Sequence, residues 1–240
     1  MSMIEVTGLE KIYSLGNVTV EALKGVSFSI RKGEFVGIMG PSGSGKSTLL
    51  HQLGLLDTPS AGTILIDGAD VSHLNDKERT HFRLMNLGYV FQDYALVPEL
   101  TVKENVALPA IMQGKSFYEG YAMAISILEK MGLAHRLDHL GCDLSGGEQQ
   151  RVSIARALVN QPSIIFADEP CANLDTKNSR VVLELFRSVN RDLGKTIVMV
   201  SHESWHWEYF DRILLLRDGL LDSQWTDMET WKEEPDPESI

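Results

Sequence analysis

The sequence predicts an α/β fold built on a parallel β-sheet. Short continuous apolar runs recur at 34–39 (EFVGIM), 162–168 (PSIIFAD) and 195–201 (KTIVMVS), the pattern of strands covered on both faces. Between the last two lies TKNSRVVLELFRSVNRDLG, with Val182, Leu185, Phe186 and Val189 at helical spacing. A glycine-rich stretch, GPSGSGKST (40–48), follows the first run directly and leads into the apolar LLHQLGLL. Strand, glycine turn and helix in that order argue for a strand–helix–strand architecture.

Taken along the chain, VTVEALKGVSFSI (18–30) puts Val26, Phe28 and Ile30 on one face and Ser27 and Ser29 on the other, as a half-buried strand does. GTILIDG (62–68) reads as a short strand closed by an Asp-Gly turn. Residues 99–159 hold no convincing strand and two helical patterns, near 118–131 and 147–159, which predicts a helical lobe inserted into the α/β body. RILLLRDG (212–219) is a further strand and turn. The expected organisation is a core of 1–98 and 160–222, a helical lobe of about 99–159, and an acidic tail from 223 to 240.

Composition narrows the class. The 240 residues, 43% hydrophobic and 23% charged, suffice for a sizeable core. No apolar run approaches the ~18 residues that would span a bilayer, so direct membrane insertion is not expected. The start, Met1-Ser2-Met3-Ile4-Glu5, lacks the basic-then-apolar order of a secretory signal. Two cysteines, Cys142 and Cys171, have no CxxC spacing, which argues against a disulfide framework or zinc knuckle and for a reducing compartment. Net charge is −11, of which the stretch from Asp222 to Ile240 supplies −6. A nucleic-acid partner is therefore not expected, because that needs a basic face. KEEPDPESI reads as a solvated tail, with Trp225 and Trp231 predicting that its nearer part packs.

The stretch at 40–48 fits G-x-x-x-x-G-K-[ST] on Gly40, Gly45, Lys46 and Ser47. Such a loop wraps a phosphate with backbone N–H groups from Gly40, Pro41, Ser42, Gly43, Ser44, Gly45 and Thr48 as far as each carries one. Lys46 brings positive charge to the β- and γ-phosphates, and the Ser47 hydroxyl reaches Mg²⁺. A dinucleotide fold is excluded, since no G-x-G-x-x-G completes. Hydrolysis needs a second metal carboxylate and a means to activate water. SIIFADEP offers both: Asp168 ends a buried run and can hold Mg²⁺, and Glu169 beside it is the candidate general base. Two adjacent acids after apolar residues are costly unless they meet a cation.

With these motifs the chain resembles the ATP-binding cassette (ABC) ATPases. The P-loop at 40–47, LSGGEQQR at 144–151 and ADEP at 167–170 stand in that family's order, with Glu148 at the variable fifth position of the signature. The resemblance covers about residues 3–222. It implies a P-loop NTPase core of the RecA type, an antiparallel β subdomain at the N-terminal side and a helical lobe. It further implies that Tyr13 stacks on adenine, that Gln92 in YVFQD contacts metal and water, that Asp175 in ANLD faces the other subunit, and that His202 in VMVSH lies near the γ-phosphate. One departure is Cys171, where most relatives carry threonine; it is not expected to carry chemistry. The segments GEFVGIMGPSGSGKSTLLHQLGLLDTPSAGTILIDG and GYVFQDYALVPELTVKENVALP resemble the lipoprotein-release and macrolide-export branch, with the cell-division ATPase close by.

The implied activity is Mg²⁺-dependent ATP hydrolysis that drives integral membrane permease subunits from the cytoplasmic face. In that family two chains pair head to tail on ATP. Ser145, Gly146, Gly147 and Glu148 of one chain then cap the γ-phosphate held by the other. Two readings compete. One is a permease-free ABC ATPase acting on nucleic acid or in cofactor assembly, of which the net charge of −11 argues against the nucleic-acid role. HESWH (202–206) matches H-E-x-x-H, the zinc-peptidase motif, but its extension would place glycine and the third histidine at Tyr209 and Arg212.

Overall fold

The structure is a computed structural model and describes residues 1–16 and 18–226. The acidic stretch from 227 on, with Trp231, lies outside the described residues. In chain order the elements are β1 (Ser2–Leu15), β2 (Val18–Arg31), β3 (Phe35–Met39), α1 (Lys46–Leu53), β4 (Ala61–Ile66), β5 (Ala69–Asp70), α2 (Asp76–Asn86), β6 (Leu87–Val90), α3 (Val102–Met112), α4 (Phe117–Lys130), α5 (Gly146–Leu158), β7 (Ile164–Asp168), α6 (Thr176–Leu193), β8 (Thr196–Val200), β9 (Arg212–Arg217) and β10 (Leu220–Trp225). They fall into two compact units, Met1–Thr80 with the segment from Arg187 on, and His81–Phe186.

The first unit contains two strand groups. An antiparallel sheet runs β2-β1-β4-β5. Its long β1–β2 hairpin pairs Tyr13 with Val20 and Ile4 with Ile30, and its register shifts repeatedly along its length. Beside it stand β10, β9, β3 and β8, with β3 parallel to β8 and to β9, and β10 antiparallel to β9. All five residues of β3 and all five of β8 are buried, so these runs are apolar throughout instead of alternating. Glu34 lies just before β3 and is buried; it is paired with Arg212 at 2.9 Å, which offsets the cost of burying the carboxylate. Trp225 packs with Met39, Ile213 and Leu215, as expected of the stretch next to the tail.

The second unit joins a parallel β6–β7 pair to a helical group. There Val102, Val106, Leu128, Val152 and Val159 are fully or almost fully buried in one cluster. Three helices begin in the same way. Thr101, Ser116 and Ser145 cap α3, α4 and α5, each answered by a glutamate three residues on, Glu104, Glu119 and Glu148. The reciprocal bonds satisfy N–H groups that a helix start leaves unpaired. Asn105 is fully buried and ties down the approach to α3, donating to the Val97, Leu100 and Thr101 carbonyls and accepting from the Val97 N–H. The helices near 118–131 and 147–159 are found where the periodicity puts them, as α4 and α5. α3 is an addition to that reading.

Candidate functional site

The glycine loop begins where β3 ends, and its backbone explains its composition. Gly40, Gly43 and Gly45 have φ of 139°, 79° and 100°, a region that L side chains rarely adopt. A Cβ on Gly40 would collide with the Leu216 carbonyl, and one on Gly45 would come within 2.5 Å of the Ala22 carbonyl. Beyond Gly43, by contrast, the space is open. Ser42 and Gly43 are exposed, Pro41, Ser47 and Thr48 half-buried. The Lys46 ammonium is buried and donates to the Gly40 and Pro41 carbonyls at 2.8 Å each. The Ser44 hydroxyl is buried and, among the described residues, has no partner. Bare glycine backbone curled round a lysine at the start of α1 fits a phosphate group and its counter-charge.

The same unit carries Tyr13 and His202. The Tyr13 hydroxyl donates to Asp57 Oδ2 at 2.9 Å, and burial followed by the Asp57 bond pushes the phenol up. His202 follows β8, is half exposed at its side chain, and has Nε2 3.4 Å from Glu203 Oε1. The HESWH motif does not build a metal-binding face. His202 precedes a 3₁₀ turn (Ser204–Tyr209), whereas His206 within it is buried with Nδ1 2.7 Å from the Ser201 hydroxyl. Two histidines on one face of an α-helix, which the zinc chemistry needs, are not what this segment forms.

The second unit carries the other candidates. Asp168 closes β7 and Glu169 follows at φ 43°, a left-handed conformation that a non-glycine residue occupies at a cost. The chain thus turns at Glu169, directly after β7. Tyr89 lies near Asp168; burial and then that carboxylate raise its phenol. Gln92 is exposed, and its carbonyl accepts from Asn173 Nδ2 at 3.2 Å. Tyr94 and Ala95 behind it have positive φ, and the Arg156 guanidinium of α5 holds both their carbonyls. Arg156 escaped the sequence reading, because an arginine among apolar helix residues reads as a solvated side chain.

Ser145 stands at the N-cap of α5. Glu148 Oε2 accepts from the Ser145 N–H at 2.9 Å and from its hydroxyl at 2.8 Å, and Arg136 pairs with Glu148 at 2.9 Å. These bonds, those to Ser145 first and then Arg136, hold the carboxyl down to about 2. The two glycines of the signature meet the ends of two side chains. A Cβ on Gly146 would come 2.9 Å from the Tyr94 hydroxyl, and one on Gly147 would come 2.9 Å from Asn178 Oδ1. Asp175 is exposed and accepts from the Asn178 backbone and side-chain N–H groups at 2.7 and 2.9 Å, holding the start of α6. No group of three or more potential metal ligands of the His, Cys, Asp and Glu types occurs among the described residues.

Family comparison agrees with these motifs. The ABC transporter sequence family matches residues 23–172. The chain belongs to that family. Among its relatives is the lipoprotein-releasing system ATP-binding protein LolD 2 of Caulobacter vibrioides, 44% identical over 92% of the cassette and 97% of that protein. A macrolide export ATP-binding/permease protein, MacB of Bdellovibrio bacteriovorus, is also 44% identical over 92% of the cassette. The cassette spans only 34% of MacB. Of solved structures, the dimeric post-hydrolysis state of the ATP-binding cassette MJ0796 bound to ADP and Pi superposes with a TM-score of 0.87. It is 41% identical, and the match covers 93% of this chain and 98% of that one.

Proposed function

We propose that the chain is the ATP-hydrolysing subunit of an ABC transporter of the lipoprotein-release and macrolide-export type. It works as a homodimer attached to integral membrane permease subunits on the cytoplasmic face of the membrane. The observation that carries the reading is the glycine loop with Lys46 at the start of α1, in a chain nearly coextensive with LolD. LolD and MacB are named for release and export systems, which favours the permease-coupled reading over a permease-free ATPase. No helix among the described residues is long and apolar enough to cross a membrane.

In this reading the backbone of 40–48 and Lys46 bind the β- and γ-phosphates of ATP, and Tyr13 stacks on the adenine. Ser47, Gln92 and Asp168 are hard oxygen donors of the kind that holds Mg²⁺, which when bound neutralises phosphate charge. Glu169 takes the proton from the attacking water, and His202 stabilises the γ-phosphate. Ser145, Gly146, Gly147, Glu148 and Asp175 act on the nucleotide of the partner chain. Residues 99–159 form the helical lobe that carries this signature, and 223–240 the acidic tail. Loss of the γ-phosphate removes what bridges the two chains, and the opening is passed to the permease.

The test is titration of the purified chain with a fluorescent ATP analogue. Lys46→Ala removes charge-assisted bonds to phosphate and should weaken binding by at least tenfold. Unchanged affinity overturns the reading. Capture of the tagged chain from membranes of its native host should also recover a permease, and its absence from the captured material counts against the transporter assignment.

A further inference from the structure

Tyr13 does not stand alone in its unit. Its hydroxyl donates to Asp57 Oδ2 at 2.9 Å, and the same carboxylate accepts from the Lys11 ammonium at 2.8 Å through Oδ1. Lys11 also donates to the Thr58 carbonyl at 2.7 Å, and its side chain is only 11% exposed. From there its ammonium lies over the Tyr13 ring, 4.8 Å from the centroid, within cation–π range. Val20, directly across the hairpin from Tyr13, is 45% exposed.

One ring face is thus taken by a buried cation, the hydroxyl is held by Asp57, and exposed apolar surface adjoins the ring. A flat group can stack only on the remaining face. An unpinned tyrosine on a hairpin would lose rotamer freedom on binding, and that loss weakens affinity. We propose that Lys11 and Asp57 are positioning residues for the nucleobase: they fix Tyr13 with one face covered and present the other to the adenine of ATP. This rests on the reading that Tyr13 stacks on the base. It adds that the loop LLDTPS, through Asp57, sets the height of the base relative to the phosphate loop.

The experiment measures affinity for two ligands on the full chain with Mg²⁺: a non-hydrolysable ATP analogue and inorganic tripolyphosphate, which has no base. Lys11→Met and Asp57→Ala should weaken the ATP analogue about threefold to tenfold and leave tripolyphosphate unchanged. Tyr13→Ala should weaken the analogue at least as much, and adding Asp57→Ala to it should cost nothing further. Lys11→Arg, which keeps a cation over the ring, should restore most of the affinity. If Tyr13→Ala leaves the ratio of the two affinities unchanged, the stacking reading falls and the proposal with it. If Tyr13→Ala lowers the ratio and the Lys11 and Asp57 variants do not, the proposal alone is overturned. Equal weakening of both ligands by Asp57→Ala also overturns it, since the ion pair would then serve the loop and not the base. Asp57→Asn keeps the shape, loses the charge, and repeats the test should Asp57→Ala not fold.

Discussion

At the scale of single residues, the most informative positions are those where burial and charge conflict. Glu169 is strained and half-buried next to Asp168. As the proposed base, Glu169→Gln keeps the shape and one acceptor oxygen and loses the charge and the proton-accepting carboxylate. ATP affinity should persist while turnover falls by about 10²-fold or more. Near-normal phosphate release in that variant would reassign the base. His206 sets up a different test. Burial pushes its imidazole down to about 4, against opposition from Glu203 and with help from His202. Its native form is neutral, with Nδ1 against the Ser201 hydroxyl, to which the Glu203 N–H also donates. The unfolded chain takes up this proton near pH 6.5 and the native one only near 4, so stability is lost as pH falls across that window. The linked loss is on the order of a few kcal/mol. Thermal unfolding between pH 7 and 4 should show it, and His206→Gln should flatten this part of the profile. An unchanged slope in the variant would assign the acid sensitivity to other groups.

At the scale of elements, legibility followed periodicity. β3, β7, β8 and β9 were readable as apolar runs, α6 as a 3.6-residue stripe, and α4 and α5 likewise. β1 was not, because its register shifts break the alternation that would mark it. α3 was not, because VKENVALPAIM is apolar on several sides and contains Pro109, and its buried face includes the polar Asn105. α2 was not, because it buries none of its residues. The glycines of LSGGEQQR also pack against the ends of the Tyr94 and Asn178 side chains, contacts between distant segments that the sequence alone does not display. Capping at the start of α5 gives the element-scale prediction. Glu148→Gln keeps an acceptor for the Ser145 N–H and loses the Arg136 pair. The stabilisation that Glu148 supplies is present above about pH 4.5 and lost as pH falls toward 2, because bonding holds its folded carboxyl at about 2. Glu148→Gln should remove the slope in that range, and Ser145→Ala should cost about 1 kcal/mol of stability near neutral pH. Circular dichroism melts across pH check both; a slope that survives Glu148→Gln means the cap does not carry it.

At the scale of the whole molecule, the signature raises a question that the single chain does not answer, namely whose nucleotide it serves. The packing of Gly146 and Gly147 against Tyr94 and Asn178 does not conflict with a role in trans, since Ser145 at the start of α5 is exposed. MJ0796, a dimeric cassette 41% identical to this chain, makes a dimer the arrangement to test. If Ser145 acts on the partner's ATP, two differently damaged chains should complement. A Glu169→Gln chain lacks the base and keeps its signature; a Ser145→Ala chain keeps the base and lacks a sound signature. In a mixed dimer one composite site carries both lesions. The other combines the intact P-loop and Glu169 of one chain with the intact signature of its partner. The mixture should then hydrolyse ATP faster than the mean of the two separate variants, once differently tagged chains have been shown to exchange. If the dimers mix and no activity returns, either the signature works within its own chain or both sites must be sound together. Pairing wild type with the double variant separates these two. A signature acting in trans leaves one lesion in each composite site of that pair, whereas one acting in cis leaves one site whole. Activity of the wild-type and double-variant pair above that of the two single variants combined would therefore overturn the trans assignment.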